Sequence, residues 1–437
     1  CGRMTLKRQY RMEDGRLKYY VDTDVSIDDD MLLDILSRAT SRHMKNIVST
    51  IQHEQNLAIR HERDRVLSVT GGAGSGKTSV AMHRAAYLMY RQRDLIDANH
   101  IAVLSPGNAF SDYISTVLPD LGEENTRTVT MRDILSSALG MEVERPLQQG
   151  EKLLAGETPL REESVRFKSG ADFVRRLDAF VERYKVSGPK FRDVVLGKLT
   201  LMTGRELNLL YRSELKLLSP ALRLLRIQTV LESRLEGWEK SLYEQYEARL
   251  IKSYRGKDLE MATKMAVSQH LQPVKAQIRA MTAVEPLPLY AQAMNSAPGQ
   301  LAEAARENAQ ARVVWWEDAP AIGYLLLKLG FAAPDKGILH LLIDEAQDYS
   351  DVALNMLHLY YPQAHVTLLG DANQRTCPGM PDCEPQTWAA CFEAPEAPVI
   401  ELTRCYRSTQ PITRLCNALL PGLPRAKEFG REGEWPI

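Results

Sequence analysis

The sequence predicts an α/β fold: a parallel sheet carrying a phosphate-binding loop, interrupted by a large helical insertion. Three observations predict it. A glycine-rich run, Gly71-Gly72-Ala73-Gly74-Ser75-Gly76-Lys77-Thr78, stands between an apolar stretch and a helix-forming one. A second apolar stretch, Ile338 to Ile343, ends in two carboxylates, Asp344 and Glu345. Between them, from about residue 135 to residue 310, strand signals fade and amphipathic helical periodicity takes over.

The glycine run reads G-x-x-x-x-G-K-T. It follows Val66-Leu67-Ser68-Val69, a buried strand by composition, and precedes the helical run Ser79 to Leu88. Strand, glycine loop and helix in that order form a cradle for phosphate. Gly72, Gly74 and Gly76 let backbone N–H groups curl round an anion without Cβ clashes, Ser75 completes the curl, and the new helix aims its positive end at the same point. Lys77 is placed to reach the β- and γ-phosphates of ATP, and Thr78 to offer its hydroxyl to Mg²⁺.

The strand ending in Asp344-Glu345 supplies the partner chemistry. A nucleotide bound with Mg²⁺ needs one carboxylate near the metal, usually through water, and Asp344 takes that role. Glu345 is then placed to orient and deprotonate the attacking water.

Around these two motifs the chain reads as follows. Residues 4–22 alternate about Glu13-Asp14-Gly15 and predict a β-hairpin. Asp28-Asp29-Asp30 precedes Met31 to Leu36 and reads as a helix start, since acidic residues suit a first turn. Gln55 stands shortly before the loop, where an amide that both donates and accepts can read adenine. Ile101 to Ser105 forms a second strand; Ser105, Asn108 and Thr130 are small polar groups able to touch a nucleic-acid backbone or to cap loops. In the insertion, Phe173–Tyr184, Leu207–Leu218 and Leu222–Tyr246 read as helices, and prolines near Ala283 to Pro288 mark a break. Two further strands, Val366 to Asp371 and Val399 to Leu402, lead to Gln374 and to Tyr406-Arg407. Gln374 is placed to sense the γ-phosphate or its water, Tyr406 to stack on the adenine and Arg407 to act as an arginine finger. Pro411 to Leu420 reads as a short helix, and the final Phe429 to Ile437 as loop-like sequence with no completed sheet.

Composition bounds the reading. The 437 residues can hold two or three domains, and 44% apolar content excludes global disorder. A net charge of −1 gives no global basic field, so any nucleic-acid contact is a local patch. One such patch is visible: from Arg161 to Arg255 there are 20 Lys and Arg against 13 Asp and Glu. That surface is equally a solvated helical face or a site for an acidic partner. No apolar stretch reaches the length of a membrane span. The six cysteines, five of them between Cys377 and Cys416, contain no C-x-x-C pair. Reduced thiols account for them better than a metal or iron–sulfur site at Cys377, Cys383, Cys391 and Cys405. The start at Cys1 and the abrupt end read as a piece of a longer protein.

Together these elements resemble superfamily 1 helicases of the UvrD/Rep type. Gln55 looks like the glutamine of the Q motif and the Lys77-Thr78 loop like motif I. Ile101 to Ser105 sits where motif Ia sits. Asp344-Glu345-Ala346-Gln347-Asp348 matches motif II, Gly370-Asp371 with Gln374 the core of motif III, and Tyr406-Arg407-Ser408 motif IV. The segments Thr50 to Asn56, Leu118 to Glu123 and Asp344 to Tyr349 are closer to the HelD branch. That branch associates with bacterial RNA polymerase and uses ATP to release it from nucleic acid.

The resemblance implies a RecA-like P-loop NTPase domain. Its organisation would be a hairpin and lead-in helix (1–45), the first part of the RecA-like domain (46–134), a helical insertion (135–310), the second part (311–398), and the start of a second RecA-like domain (399–437). It implies ATP and Mg²⁺ as cofactors, DNA and RNA polymerase as partners, and a cytoplasmic monomer.

Two departures qualify that implication. Motif III continues as Arg375-Thr376-Cys377-Pro378-Gly379, without the aromatics that stack on DNA bases. Such stacking is worth about 1–3 kcal/mol per base, so its lack favours polymerase release over unwinding. Motifs V and VI of a second RecA-like domain, and the N-terminal coiled coil of HelD-type proteins, are not seen either. Alone, the chain is expected to bind nucleotide weakly and hydrolyse it slowly. The rival readings are a DNA helicase or translocase of repair or recombination, and a nucleotide-gated binding module with little turnover.

Overall fold

A computed structural model describes residues 7–13, 16–23, 53–105, 126–140, 142–155, 159–377, 380, 384–405, 408–419, 427–428 and 433–435. The expected helix after Asp30 lies outside the described residues, as do Asn108, Cys383, Tyr406 and Arg407. The chain divides into two compact units, 1–170 with 334–437, and 171–333.

The first unit opens with the antiparallel hairpin of β1 (Lys7–Glu13) and β2 (Arg16–Thr23). Its centre is a six-stranded sheet. In chain order the strands are β3 (Val66–Gly71), β4 (Ile101–Leu104), β5 (Arg127–Val129), β8 (His340–Ile343), β9 (His365–Gly370) and β10 (Val399–Leu402). The spatial order is β10-β3-β9-β8-β4-β5 and every pairing is parallel. The inner strands β3, β4, β8 and β9 are mostly apolar and buried, as strands covered on both faces are, while the edge strands β5 and β10 carry the exposed Arg127 and Glu401. Helix α1 (His53–Ile59) and helix α2 (Lys77–Arg91) cover one face. There Val80, Ala81, Ala85 and Leu88 of α2 pack on Leu67, Val69, Ile101, Val103 and Leu369. The connection leaving β3 runs towards β4 and that leaving its neighbour β9 runs the other way, to β10, so a switch point lies between them. The carboxyl ends of β3, β8, β9 and β10 therefore border one crevice, where such sheets bind ligands.

His340 opens β8 beside His365, with ring centroids 5.4 Å apart. Burial, with help from the charges of His365 and Arg84, holds the His340 imidazole down at about 4. The unfolded chain binds that proton near pH 6.5 and the folded chain refuses it. Stability from this group is complete above pH 6.5 and falls as pH drops towards 4, by on the order of 3 kcal/mol. The Asp344 carboxyl, raised by burial to about 6, works in the opposite sense. The difference between the protein and a His340→Asn variant therefore isolates the histidine. The variant is expected to have the flatter acid limb in denaturant titrations from pH 7 to pH 4, and equal slopes would refute the assignment.

After β5 come α3 (Met131–Leu139), α4 (Pro146–Leu154) and α5 (Pro159–Ser169). Thr130 caps α3 by accepting from the Asp133 N–H, so it serves as a loop cap. Residues 135–170, read in sequence as part of the insertion, cluster with the sheet unit, and 311–333, read as part of the RecA-like domain, cluster with the second unit.

The second unit holds α6 (Ala171–Ser187), the hairpin of β6 (Val194–Leu196) and β7 (Leu199–Met202), and six more helices. These are α7 (Gly204–Leu209), α8 (Pro220–Leu250), α9 (Gly256–Thr282), α10 (Pro286–Ala293), α11 (Gly299–Ala311) and α12 (Ala319–Leu329). Leu224, Ile227, Leu231 and Leu235 of α8 meet Val267, Leu271, Val274 and Ile278 of α9 at three- and four-residue spacing. The anticipated helix from Leu207 to Leu218 is shorter. It passes into one π turn, Leu210–Glu214, and ends. The reason is Arg223, whose guanidinium takes the carbonyls of Leu218, Lys185 and Lys216 and lies over the Tyr211 ring. Those carbonyls are thereby satisfied away from a helical ladder.

Helix α13 (Asp351–Tyr360) joins β8 to β9 and α14 (Pro385–Ala390) lies between β9 and β10; past β10 the first unit continues through β11 (Arg404–Cys405) and α15 (Gln410–Leu419). Strand β11 pairs in parallel with β12 (Lys427–Glu428). Among the described residues, no helix is long and apolar enough to cross a membrane.

Candidate nucleotide site

The loop between β3 and α2 has the geometry of a phosphate cradle. Gly74 and Gly76 hold φ of 75° and 89°, left-handed backbone that glycine adopts without strain. Helix α2 starts with no side chain capping its end and no acidic residue in its first turn. Its first N–H groups are thus left to face an anion. The Lys77 ammonium lies back along the loop, donating to the carbonyls of Gly71 at 2.8 Å and Gly72 at 3.4 Å. The Ser75 hydroxyl is buried without a partner inside the same curl.

Opposite the loop, the Thr78 hydroxyl donates to Asp344 Oδ2 at 2.7 Å. Asp344 is 1% exposed. Burial, reinforced by the Glu345 carboxylate, raises it to about 6, against the pull of Thr78 and Lys77. A hydroxyl and a buried carboxylate in contact are the oxygen donors that Mg²⁺ takes, and the cation would restore the carboxylate to its charged form. Thr78 and Asp344 fit the ion.

Glu345 holds φ 50°, an uncommon conformation for a side chain with a Cβ. Its N–H donates to Asp344 Oδ1 at 2.9 Å, and its carboxylate accepts from Gln347 Nε2 at 2.8 Å. Gln347, 1% exposed, also accepts from the Asp371 N–H at 2.9 Å through Oε1. One buried amide therefore joins Glu345 to the end of β9. There the Asp371 carboxylate accepts from the Gln374 amide and from the Asn373 N–H. Gln374 is exposed, with its amide anchored. The Thr376 N–H donates to Asp348 Oδ1 at 2.9 Å, tying the next turn to motif II as well.

Gln55, 8% exposed, donates from Nε2 to the Ser75 carbonyl at 3.1 Å. The structure thus brings Gln55, Lys77, Thr78, Asp344 and Glu345 to one end of the sheet, with Gln374 just beyond. Tyr406 and Arg407 lie outside the described residues. The Cys391 thiol donates to the Thr387 carbonyl and the Cys405 thiol to that of Ala73. Among the described residues no group of three or more His, Cys, Asp and Glu side chains is arranged to hold a metal.

Sequence reasoning missed three side chains. Gln347 lay inside the quoted motif, but its bridging role depends on Asp371, 24 residues away. Arg84 and Glu54 carry no local signal at all. Gly370 also gains a meaning: a Cβ there would lie 2.7 Å from both Gln347 Oε1 and Trp388 Cη2. A Gly370→Ala variant is expected to lose about 1–3 kcal/mol of stability through overpacking and to push Gln347 off Asp371. Thermal denaturation checks it, and an unchanged midpoint would mean the contact relaxes freely.

A family model described as an AAA domain, AAA_19, matches residues 55–379, most of the chain, including the loop, Thr78, Asp344, Glu345, Gln347 and Gln374. The chain belongs to this family. It is thus a P-loop nucleotide-binding protein of helicase-like type, in a family of NTP hydrolases that use nucleotide and usually Mg²⁺. No curated protein matches the chain.

Proposed function

We propose that this AAA-domain chain is the nucleotide-binding core of an ATP-driven superfamily 1 motor of the HelD branch, which binds RNA polymerase and helps release it from nucleic acid. The observation that carries the motor reading is the Thr78–Asp344 hydrogen bond, which assembles a Mg²⁺-nucleotide site from segments 266 residues apart. In this reading Lys77 and the loop N–H groups hold the β- and γ-phosphates of ATP, while Thr78 and Asp344 hold Mg²⁺. That ion supplies charge neutralisation on the phosphates. Glu345 takes a proton from water as the water oxygen bonds to the γ-phosphorus and the bond to ADP breaks. Gln374 senses the γ-phosphate from the end of β9, Gln55 reads the adenine, and Tyr406 and Arg407 complete the site.

The polymerase reading is supported by the turn after motif III. Arg375-Thr376-Cys377 has no aromatic platform, and its backbone is committed to Asp348. The second reading, a UvrD-like DNA helicase or translocase, is favoured by the basic run from Arg161 to Arg255. Steady-state ATPase of the full-length protein separates them, measured alone, with single-stranded DNA and with bacterial RNA polymerase. Stoichiometric polymerase binding with little response to DNA is the expected result. Strong stimulation by DNA alone, lost steeply as salt rises, would move the conclusion to the helicase.

A further inference from the structure

We infer that Glu54 is a positioning residue that fastens the exit of β10 to the nucleotide loop, so that the strand end responds to what the loop holds. This rests on the ATPase reading above.

Glu54 occupies the first turn of α1, next to Gln55. Its carboxylate accepts two hydrogen bonds from one residue: the Thr403 N–H reaches Oε2 and the Thr403 hydroxyl reaches Oε1, each at 2.9 Å. Hydrogen bonds to an ionised acceptor are the strong ones, and a paired set fixes orientation as well as distance. Gln55 serves the loop instead, through the Ser75 carbonyl, and sits so close to Gly76 that a Cβ there would lie 2.7 Å from its Nε2. A single helical turn thus grips the loop with one side chain and the β10 exit with the next.

The same two segments also meet directly. Leu402 lies in register with Gly71, and a Cβ on Gly71 would stand 2.9 Å from both the Leu402 carbonyl and its Cβ. Two residues on from Thr403, the buried Cys405 thiol donates to the Ala73 carbonyl at 3.2 Å. The turn that carries Glu54 is not free to drift. Arg84 of α2, the helix that the loop opens, donates to the carbonyls of Ala58 and Ile59 at the far end of α1. A shift of the loop that moves Ser75 or Ala73 therefore has to move Thr403–Cys405 with it, or break one of these bonds.

The test is amide hydrogen exchange over residues 402–405 in the full chain, with and without Mg²⁺ and a non-hydrolysable ATP analogue. The unsubstituted chain, Glu54→Ala, Glu54→Gln, Thr403→Val and Lys77→Ala are compared. In the unsubstituted chain the analogue is expected to slow exchange over this segment by about tenfold, the scale of one hydrogen bond to a charged acceptor. Glu54→Ala should lose that response while its affinity for the analogue stays within about threefold. Glu54→Gln, which keeps an acceptor oxygen, should recover part of it, and Thr403→Val, which keeps the N–H, should lose part. A purely structural role would instead shift affinity, melting temperature and exchange together. The inference is overturned if Glu54→Ala or, should that variant not fold, Thr403→Val and Glu54→Gln respond to the analogue as the unsubstituted chain does. It is also overturned if the analogue binds and exchange over 402–405 does not change. Analogue binding no tighter than in Lys77→Ala is a different result: it removes the ATPase reading itself, and the inference with it.

Discussion

Replacing Glu345 by Gln is expected to lower ATP hydrolysis by the intact protein by about 10²–10⁴-fold, the usual worth of a positioned general base. Nucleotide affinity should stay within about threefold, because in the proposed site the phosphates and Mg²⁺ are held by other groups. The geometry makes this a sharp test. Glu345 adopts left-handed backbone with its N–H on Asp344, and its carboxylate is oriented by Gln347. The glutamine variant is nearly isosteric, so it keeps size and backbone while removing the capacity to accept a proton. It would bind ATP and stall. Single-turnover hydrolysis together with fluorescent-nucleotide binding reads both quantities. Hydrolysis within about threefold of the parent would remove Glu345 from the chemistry and leave a nucleotide-gated binding module as the better reading.

The second large effect concerns stability. Arg84 is 4% exposed, and burial pushes its guanidinium down to about 10. It donates to the carbonyls of Ala58 at 2.8 Å and Ile59 at 3.1 Å, and to the Thr367 hydroxyl at 2.9 Å. A cation at the carboxyl end of a helix suits the helix dipole, and here it also joins α1 to α2 and β9. Arg84→Met keeps much of the apolar stem but leaves these acceptors buried and short of a donor. A loss of about 3 kcal/mol is expected. Arg84→Lys should recover little, since one ammonium cannot reproduce a planar fork. Because α1 carries Gln55 onto the loop, nucleotide affinity should weaken as well. Denaturant unfolding and nucleotide binding check the pair. A Met variant within about 0.5 kcal/mol of the parent would place Arg84 among replaceable residues.

Much of the nucleotide site was legible because its signals are local. Strand, glycine loop and helix are contiguous, and the φ values of Gly74 and Gly76 are what that spacing requires. The strand ending in Asp344-Glu345 announces itself by an apolar run that stops at charge. The helix at Leu207 was misjudged in length because the group that ends it, Arg223, belongs to the next helix and acts through carbonyls. Periodicity cannot register that competition. Gln55 is marked by its place ahead of the loop. Its neighbour Glu54 carries no such local signal, since its partner Thr403 is 349 residues away.

By itself, then, the sequence determined the parts of the candidate site: a glycine loop, a pair of carboxylates and a parallel sheet to carry them. Those follow from residue type at short spacing, where backbone sterics and hydrophobic burial act within a few residues. Only the tertiary structure decided how the parts are joined. Thr78 meets Asp344, Gln347 bridges Glu345 to Asp371, and Glu54 grips Thr403. Each is a contact between distant segments brought to one edge by strand order, and hydrogen bonds of that kind depend on ångström-scale placement that no local pattern encodes.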